Sequence, residues 1–247
     1  MSPAGFRSST LVDSGDWLYG GRMLRQSSYT PAAPGDSLFS SVSVLLDFDG
    51  TDGSTTFTDR SSNNRIVTAV NNSQLSTTTP KWGTACGLFD GTRDYLSLPA
   101  GSLSPGTGDF TVETWVRWTN FTIGGIFHAY TALPVNSNVG LAVGYFPSPN
   151  LLEIYTGAGN VTTRSFAPST GTYYFIQLKR SSGSVSLWVD GVQLGAAITD
   201  TTNYSNYLVF PALYYDADYC LNGRLDDFRI THALRPDAVP TEAFLTF

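Results

Sequence analysis

Hydrolysis of a glycosidic bond needs two carboxylates flanking it, roughly 5 to 10 Å apart, and this chain is poorly stocked for that task. Among its 247 residues only Glu113, Glu153 and Glu242 are glutamates. Glu113 in TVETW and Glu153 in LLEIYTG each lack an acidic residue two positions away, where strand alternation would place it on the same face. His128 and His232 stand alone, no G-x-S-x-G turn presents a serine, and no glycine-rich loop leads into Lys-Ser or Lys-Thr to cradle phosphate. The reading is therefore non-enzymatic, with an unusual aspartate pair as the only route back to catalysis.

The aspartates are grouped. Asp47, Asp49 and Asp52 cluster at the end of VSVLLDFDG, Asp59 opens the next turn, and Asp226 and Asp227 adjoin in RLDDFRI. By simple alternation Asp226 shares a face with Phe228 and Ile230, which aims it at the core, where a bare carboxylate is costly unless paired or metal-bound. It can cap backbone amides, pair with an arginine such as Arg65 or Arg93, or ligate a metal. Cys86 and Cys220 are too few for a disulfide scaffold or a structural zinc site and read as two buried thiols.

The elements that must position these groups are strands. Hydrophobic residues make up 41% and aromatics 13%, enough for a core, while only 14% are charged and Ser, Thr, Asn and Gly carry the polarity. From Val42 onward short apolar runs are punctuated by turn residues at intervals of about ten, as in a sandwich or barrel, and no long helix competes. In SVSLWVDGVQLG, Asp190-Gly191 reads as a two-residue hairpin turn, and a turn at Ser181 to Ser184 completes a three-strand meander from Tyr173 to Leu194. In the run from Phe110 to Trp118, Val112, Thr114 and Val116 share the parity of both ends, and Trp115 stands on the other face. Aromatics on an outer face stack on sugar rings or pack under a loop or arm; Trp115 and Trp118 are the candidate glycan or partner contacts.

Residues 1–41 differ. Phe6, Leu11, Trp17, Leu18, Tyr19, Met23 and Leu24 are scattered without period and broken by Pro3, Pro31 and Pro34, which suggests an irregular arm. Ordering a backbone costs about 1–2 kcal/mol per residue, so fixing some 40 residues costs on the order of 40 kcal/mol or more and needs extensive contacts. Trp17, Tyr19, Met23 and Leu24 are the expected docking anchors, on the chain's own domain or on a partner subunit.

A net charge of −6 and a pI near 4.7 argue against nucleic acid or an anionic membrane as partner. No run approaches 18 apolar residues, and the start lacks a charged segment followed by an apolar one, so the expectation is a soluble chain made without a secretory signal or membrane insertion. The N-x-S/T triplets at Asn71, Asn120, Asn160 and Asn203 are then chance in a Ser/Thr-rich chain.

Taken in order, LLDFDG, TFTDRSSNNRIVTAVNN, KWGTACGLFDGTRDYLSLP, GTGDFTVETWVRW, SVSLWVDGVQLG and NGRLDDFRITHALRP resemble the laminin-G-like branch of the concanavalin A-like lectin/glucanase superfamily. More narrowly, they are similar to versions of this domain on bacteriophage virion proteins. The resemblance spans about residues 42–240, leaving 1–41 as arm and 241–247 as tail. It implies an all-β, two-sheet antiparallel jelly roll that mostly binds glycans or proteins, often with a structural calcium; Asp226 and Asp49, on last and first strands that lie close in that fold, are the candidate calcium ligands. The Glu-x-Asp-x-Glu triplet of the superfamily's glucanases is absent. The expectation is a non-enzymatic structural and adhesive module on a virion surface. It is made in the host cytoplasm, docked to other virion proteins through the arm, and present as a homo-oligomer or in many copies. A capsid decoration or cement protein is preferred to a tail fibre, because no coiled-coil or repeat segment occurs. The alternatives are a receptor-binding lectin for host-surface glycans and a glycoside hydrolase.

Overall fold

Each apolar run bounded by turn residues becomes a strand. The computed structural model describes residues 17–19, 22–24, 35–131, 140–157, 159–205, 207–212 and 219–244, with backbone alone at 17–19, 22–24, 208 and 210. Met1–Gly35 and Asp36–Phe247 are two compact units. In the first, β1 (Trp17–Tyr19) and β2 (Arg22–Leu24) form an antiparallel hairpin with Trp17 opposite Leu24 and Leu18 opposite Met23. The arm expected to be irregular thus contains regular backbone; the side chains of Trp17, Tyr19, Met23 and Leu24 lie outside the described residues.

The second unit starts at Asp36, before the expected boundary at Val42. The cause is local: a 3-10 turn at Phe39–Ser41 leads into the first sandwich strand, and the Ser41 carbonyl accepts the His232 N–H at 2.8 Å. The strands are β3 (Val42–Leu46), β4 (Thr68–Val70), β5 (Gln74–Ser76), β6 (Cys86–Asp90), β7 (Tyr95–Leu103), β8 (Phe110–Trp118), β9 (Gly124–Tyr130) and β10 (Leu141–Phe146). They continue with β11 (Leu151–Tyr155), β12 (Val161–Ser165), β13 (Tyr173–Ser181), β14 (Ser184–Val189), β15 (Val192–Gln193), β16 (Ile198–Thr199), β17 (Tyr207–Pro211) and β18 (Asn222–Thr231). One sheet runs β12-β11-β10-β9-β17-β7-β4 and the other β15-β14-β13-β8-β18-β6-β5, with β16 beside β14 and β3 beside β18. The result is an all-β antiparallel jelly-roll sandwich, as the alternating pattern and the resemblance led one to expect. No helix among the described residues is long and apolar enough to cross a membrane.

The turns follow their residues. Asp190 and Gly191 both have positive φ, 48° and 76°, the type I′ geometry that matches strand twist, and Val189 pairs with Val192 across it. Ser182 and Gly183 do the same between β13 and β14, at 49° and 75°. Between the sheets, Leu98, Phe110, Val116, Trp118, Tyr145, Ile154, Val209 and Phe228 belong to one buried cluster. Cys86 and Cys220 are free, buried thiols.

One strand departs from simple alternation. In β18, Leu225 pairs with Val116 and Asp226 with Trp115, but the register against β8 then slips before Arg229 pairs with Glu113. Asp227 sits in the slip with φ 48°. A bulge of this kind adds one residue, so Phe228 and Ile230 return to the core while Asp226 and Arg229 face outward. The expectation that Asp226 points inward with Phe228 is corrected by this one inserted residue.

The outward face of this sheet is nevertheless sealed. Glu113, 2% exposed, accepts from Arg229 Nε at 2.7 Å and Gln177 Nε2 at 2.8 Å. Asp36 accepts a forked pair of bonds from Arg235 at 2.6 and 3.0 Å and one from Arg229 at 3.3 Å. Burial works against the Asp36 carboxylate, but the Arg235 guanidinium and the Leu38 N–H hold it below its ordinary value. Phe244 closes the layer, packing on Phe175 and lying 3.7 Å from the Arg229 guanidinium. Residues as far as Phe244, expected to form a tail, are thus part of the domain. The Phe244 N–H donates to Asp227 Oδ2 at 2.9 Å, while Asp227 Oδ1 is buried with no partner among the described residues.

Burial, reinforced by Asp47 and Asp49 and opposed by the Phe244 N–H and Arg229, pushes Asp227 up to about 7. An unfolded aspartate titrates near about 4. The folded state therefore holds the proton more tightly, so this group favours folding at low pH, and that contribution is lost as pH rises from about 4 to about 7. Asp227→Asn keeps an acceptor for Phe244, tolerates positive φ and carries no charge. It is expected to gain stability relative to the unsubstituted chain as pH rises through this window; Tm profiles that stay parallel between about pH 5 and about pH 8 would refute the assignment.

Candidate functional site

The groups singled out in the sequence are placed by the fold in ways that rule several of them out as contacts. Trp118 is 1% exposed and lies in the inter-sheet core, its ring 5.1 Å from Tyr145, 6.0 Å from Phe166 and 6.1 Å from Tyr174. Trp115 is on the outer face as its parity requires, but Trp82 at 6.2 Å and Phe175 at 5.1 Å, with Val42, Leu45 and Phe244, leave it 3% exposed. Neither can stack on a ligand. Their size explains the outcome: a large flat side chain on either face of a central strand recruits cover.

The calcium expectation meets a similar obstacle. Asp226 Oδ2 accepts the N–H groups of Lys81 at 2.7 Å and Trp82 at 3.1 Å, and Oδ1 accepts that of Asp227 at 3.0 Å. Burial and the adjacent Asp227 push its carboxyl up to about 8 against those amides. Asp49 Oδ1 accepts the Thr84 N–H and, at 2.9 Å, its hydroxyl. Both carboxylates cap the loop at 81–84, so the amide-capping alternative describes Asp226. Among the described residues no three His, Cys, Asp or Glu side chains converge as metal ligands would, and Asp226 directs its oxygens at backbone amides. Arg65 serves Ser43 O and Gly101 O instead of Asp226.

The outward face of the other sheet is built differently. Leu152 and Ile154 of β11 and Leu141, Val143 and Tyr145 of β10 enter the core, so Glu153, Tyr155, Ala142 and Gly144 turn outward. On β9, Ala129 opposes Leu141 inside and His128 opposes Ala142 outside; beyond a bulge, Gly125 opposes Gly144. The outer side of three neighbouring strands thus has a floor of Gly125, Ala142 and Gly144, all buried, with His128 and Tyr130 of β9 buried as well at 2% and 6% exposure, so Glu153 and Tyr155 of β11 are the partly accessible groups.

The chemistry of this face is neutral and aromatic with one carboxylate. His128 and Tyr130 lie with ring centroids 3.7 Å apart. Burial drives His128 well below its ordinary value, so it is an uncharged imidazole. Burial first, and then Tyr155, hold the Tyr130 phenol far above its usual range. Tyr155 and Glu153 remain half-buried beside the floor. Of this set, the half-buried Tyr155 ring and Glu153 carboxylate are the groups with access to offer an apolar ring face and hydrogen bonds to hydroxyls. The alternation in IFHAY, LAVGYF and LLEIY contains the signal, but only the adjacency of β9, β10 and β11 makes it a surface.

A family model described as the concanavalin A-like lectin/glucanases superfamily, laminin-G-like, matches residues 89–239. No curated protein matches the chain in sequence. Among solved structures, domain 4 of a GH43 extracellular arabinanase from Geobacillus stearothermophilus, in complex with arabinotriose, is 17% identical with a TM-score of 0.57, over 77% of this chain and 92% of that one. A sialidase from Trypanosoma rangeli in complex with sialic acid is 12% identical, TM-score 0.60, over 80% of this chain and 32% of its own. The binding domain of botulinum neurotoxin serotype D/C is 15% identical, TM-score 0.54, over 81% of this chain and 51% of its own. The chain thus spans about half of the toxin domain and a third of the sialidase, and at these identities the likeness is one of fold.

Because Trp118 fills the core, Trp118→Ala is expected to cost about 3–5 kcal/mol of stability in denaturant titration. A Trp118→Ala protein that unfolds at the parental midpoint would contradict this placement.

Proposed function

The chain belongs to the laminin-G-like family of the concanavalin A-like lectin/glucanases superfamily, and on that premise we propose that it is a non-enzymatic glycan-binding module displayed on a virion. The observation that carries the binding reading is the outward face of β9, β10 and β11. There Glu153 and Tyr155 of β11 stand half-buried beside a buried floor of Gly125, Ala142 and Gly144 and the buried pair His128 and Tyr130, so Tyr155 and Glu153 are the proposed contacts. Tyrosine rings present an apolar face to the C–H side of a sugar and a hydroxyl to its rim. Solved neighbours in complex with arabinotriose and with sialic acid use the same fold. The non-catalytic reading rests on the carboxylates: Glu113 is sealed between Arg229 and Gln177, and Glu153 has no acidic partner directly opposite it, since Thr163 and Gly144 are its register neighbours.

Placement on a phage particle, with capsid decoration preferred to a tail fibre, draws on the likeness of the ordered motifs to virion versions of the domain. It also draws on the separate compact unit of residues 1–35 with its own hairpin. Many copies on one particle would let weak single-site affinities act together. The 1–35 unit would dock the module to other virion proteins, leaving the sandwich to meet host-surface glycans.

Tyr155→Ala and Glu153→Ala are each expected to abolish or strongly reduce retention on a glycan array while Tm stays within a few degrees of the parent, since both side chains are only half-buried. An intact protein with no glycan signal would remove the binding reading. Deletion of residues 1–35 is expected to leave a folded β-domain that no longer joins particles; a truncated chain that still assembles would remove the docking role of that unit.

A further inference from the structure

At the edge of the sandwich, away from the face just described, consecutive strands β4 and β5 cross from one sheet to the other through the Asn71-Asn72 turn. Asp94, fully buried, accepts the Asn72 N–H at 2.8 Å and the Asp90 N–H at 2.8 Å, and so lashes this turn to the one joining β6 and β7. Above the lashing lies a cavity of about 360 Å³ lined by Thr55, Asn71, Asn72, Gln74, Leu88 and the two aspartates.

The polar side chains around it are held in place and only partly used. Asn71 Nδ2 donates to Arg93 O at 2.7 Å and Asn72 Nδ2 to Asp90 Oδ2 at 3.2 Å, which fixes both amides and leaves each Oδ1 as an acceptor. Burial pushes Asp90 up, but the Asn72 amide and the Thr92 N–H outweigh it and keep the carboxyl below its ordinary value, so Asp90 is anionic. The Gln74 amide and Thr55 hydroxyl have no hydrogen-bonding partner among the described residues. Leu88, half-buried, is the one apolar lining group.

We propose that this edge cavity is a binding site for a single sugar residue or an equivalent vicinal polyol, distinct from the β9–β10–β11 face and independent of it. A vicinal diol offers a donor and an acceptor on each of two adjacent oxygens. Planar amides and a carboxylate at fixed positions meet that pattern, and Leu88 offers an apolar patch to a C–H face. No lysine or arginine side chain lines the cavity, which disfavours an anion. A divalent cation is disfavoured because both oxygens of Asp94, and both of Asp90, already accept N–H donors.

The test is saturation-transfer NMR on the full chain with free D-glucose, D-galactose, D-mannose, L-fucose and N-acetyl-D-glucosamine, each titrated to about 100 mM. At least one is expected to bind saturably. Gln74→Ala and Thr55→Val, whose side chains make no hydrogen bond among the described residues, should each weaken that binding by up to about tenfold with Tm within a few degrees of the parent. Tyr155→Ala should leave it intact, which separates this site from the proposed glycan face. Absence of saturable binding by all five sugars overturns the proposal, as does binding indifferent to both Gln74→Ala and Thr55→Val. So does calcium chloride binding, measured by calorimetry, that is lost in Gln74→Ala.

Discussion

The outward side of β18 carries Asp226, Asp227 and Arg229 on a sheet face from which water is excluded, and the need to satisfy these three groups organises much of the molecule. A charge taken out of water is penalised by several kcal/mol unless partners replace the lost hydration. Each partner here comes from a different part of the chain. The loop at Lys81 and Trp82 supplies amides to Asp226, the C-terminal segment brings the Phe244 N–H to Asp227, and Glu113 with Asp36 neutralises Arg229. Three remote segments are thereby laid over one strand. Their apolar residues, Trp82 and Phe244, then complete a second small core with Trp115 and Phe175.

This arrangement divides the labour of the sandwich. The nine-stranded sheet is covered on both sides, by the main core within and by the loop and C-terminal segment without. That closure explains why its outer aromatics, chemically suited to stacking, are not available for it. On the other sheet the outward residues of β9 and β10 are also buried, while Glu153 and Tyr155 of β11 stay half-buried. The two binding sites proposed above, at Glu153 and Tyr155 and at the amide-rich edge of β4 and β5, both lie away from the ion network of β18.

The same alternation rule that makes the fold readable also shows where reading fails. Two-residue turns with positive φ at Asp190-Gly191 and Ser182-Gly183 were encoded locally, because those residues tolerate that geometry and set the hairpin register. The single inserted residue at Asp227 has no such signature, yet it reverses the facing of everything before or after it in β18.

By itself the sequence determined the scarcity of glutamates, the all-β class, the meander from Tyr173 to Leu194 and the outward parity of Trp115, the last three because each depends on neighbours within a few positions. Only the tertiary structure decided that Trp115 and Trp118 are buried, that Asp226 caps the 81–84 loop, that Asp36 and Phe244 belong to the sandwich, and that Glu153, Tyr155, His128 and Tyr130 share one face. Burial and coincidence of this kind depend on which strands lie side by side and which segment covers them. Those pairings join residues up to 199 positions apart, as in the bond between Asp36 and Arg235, and no local pattern can specify them.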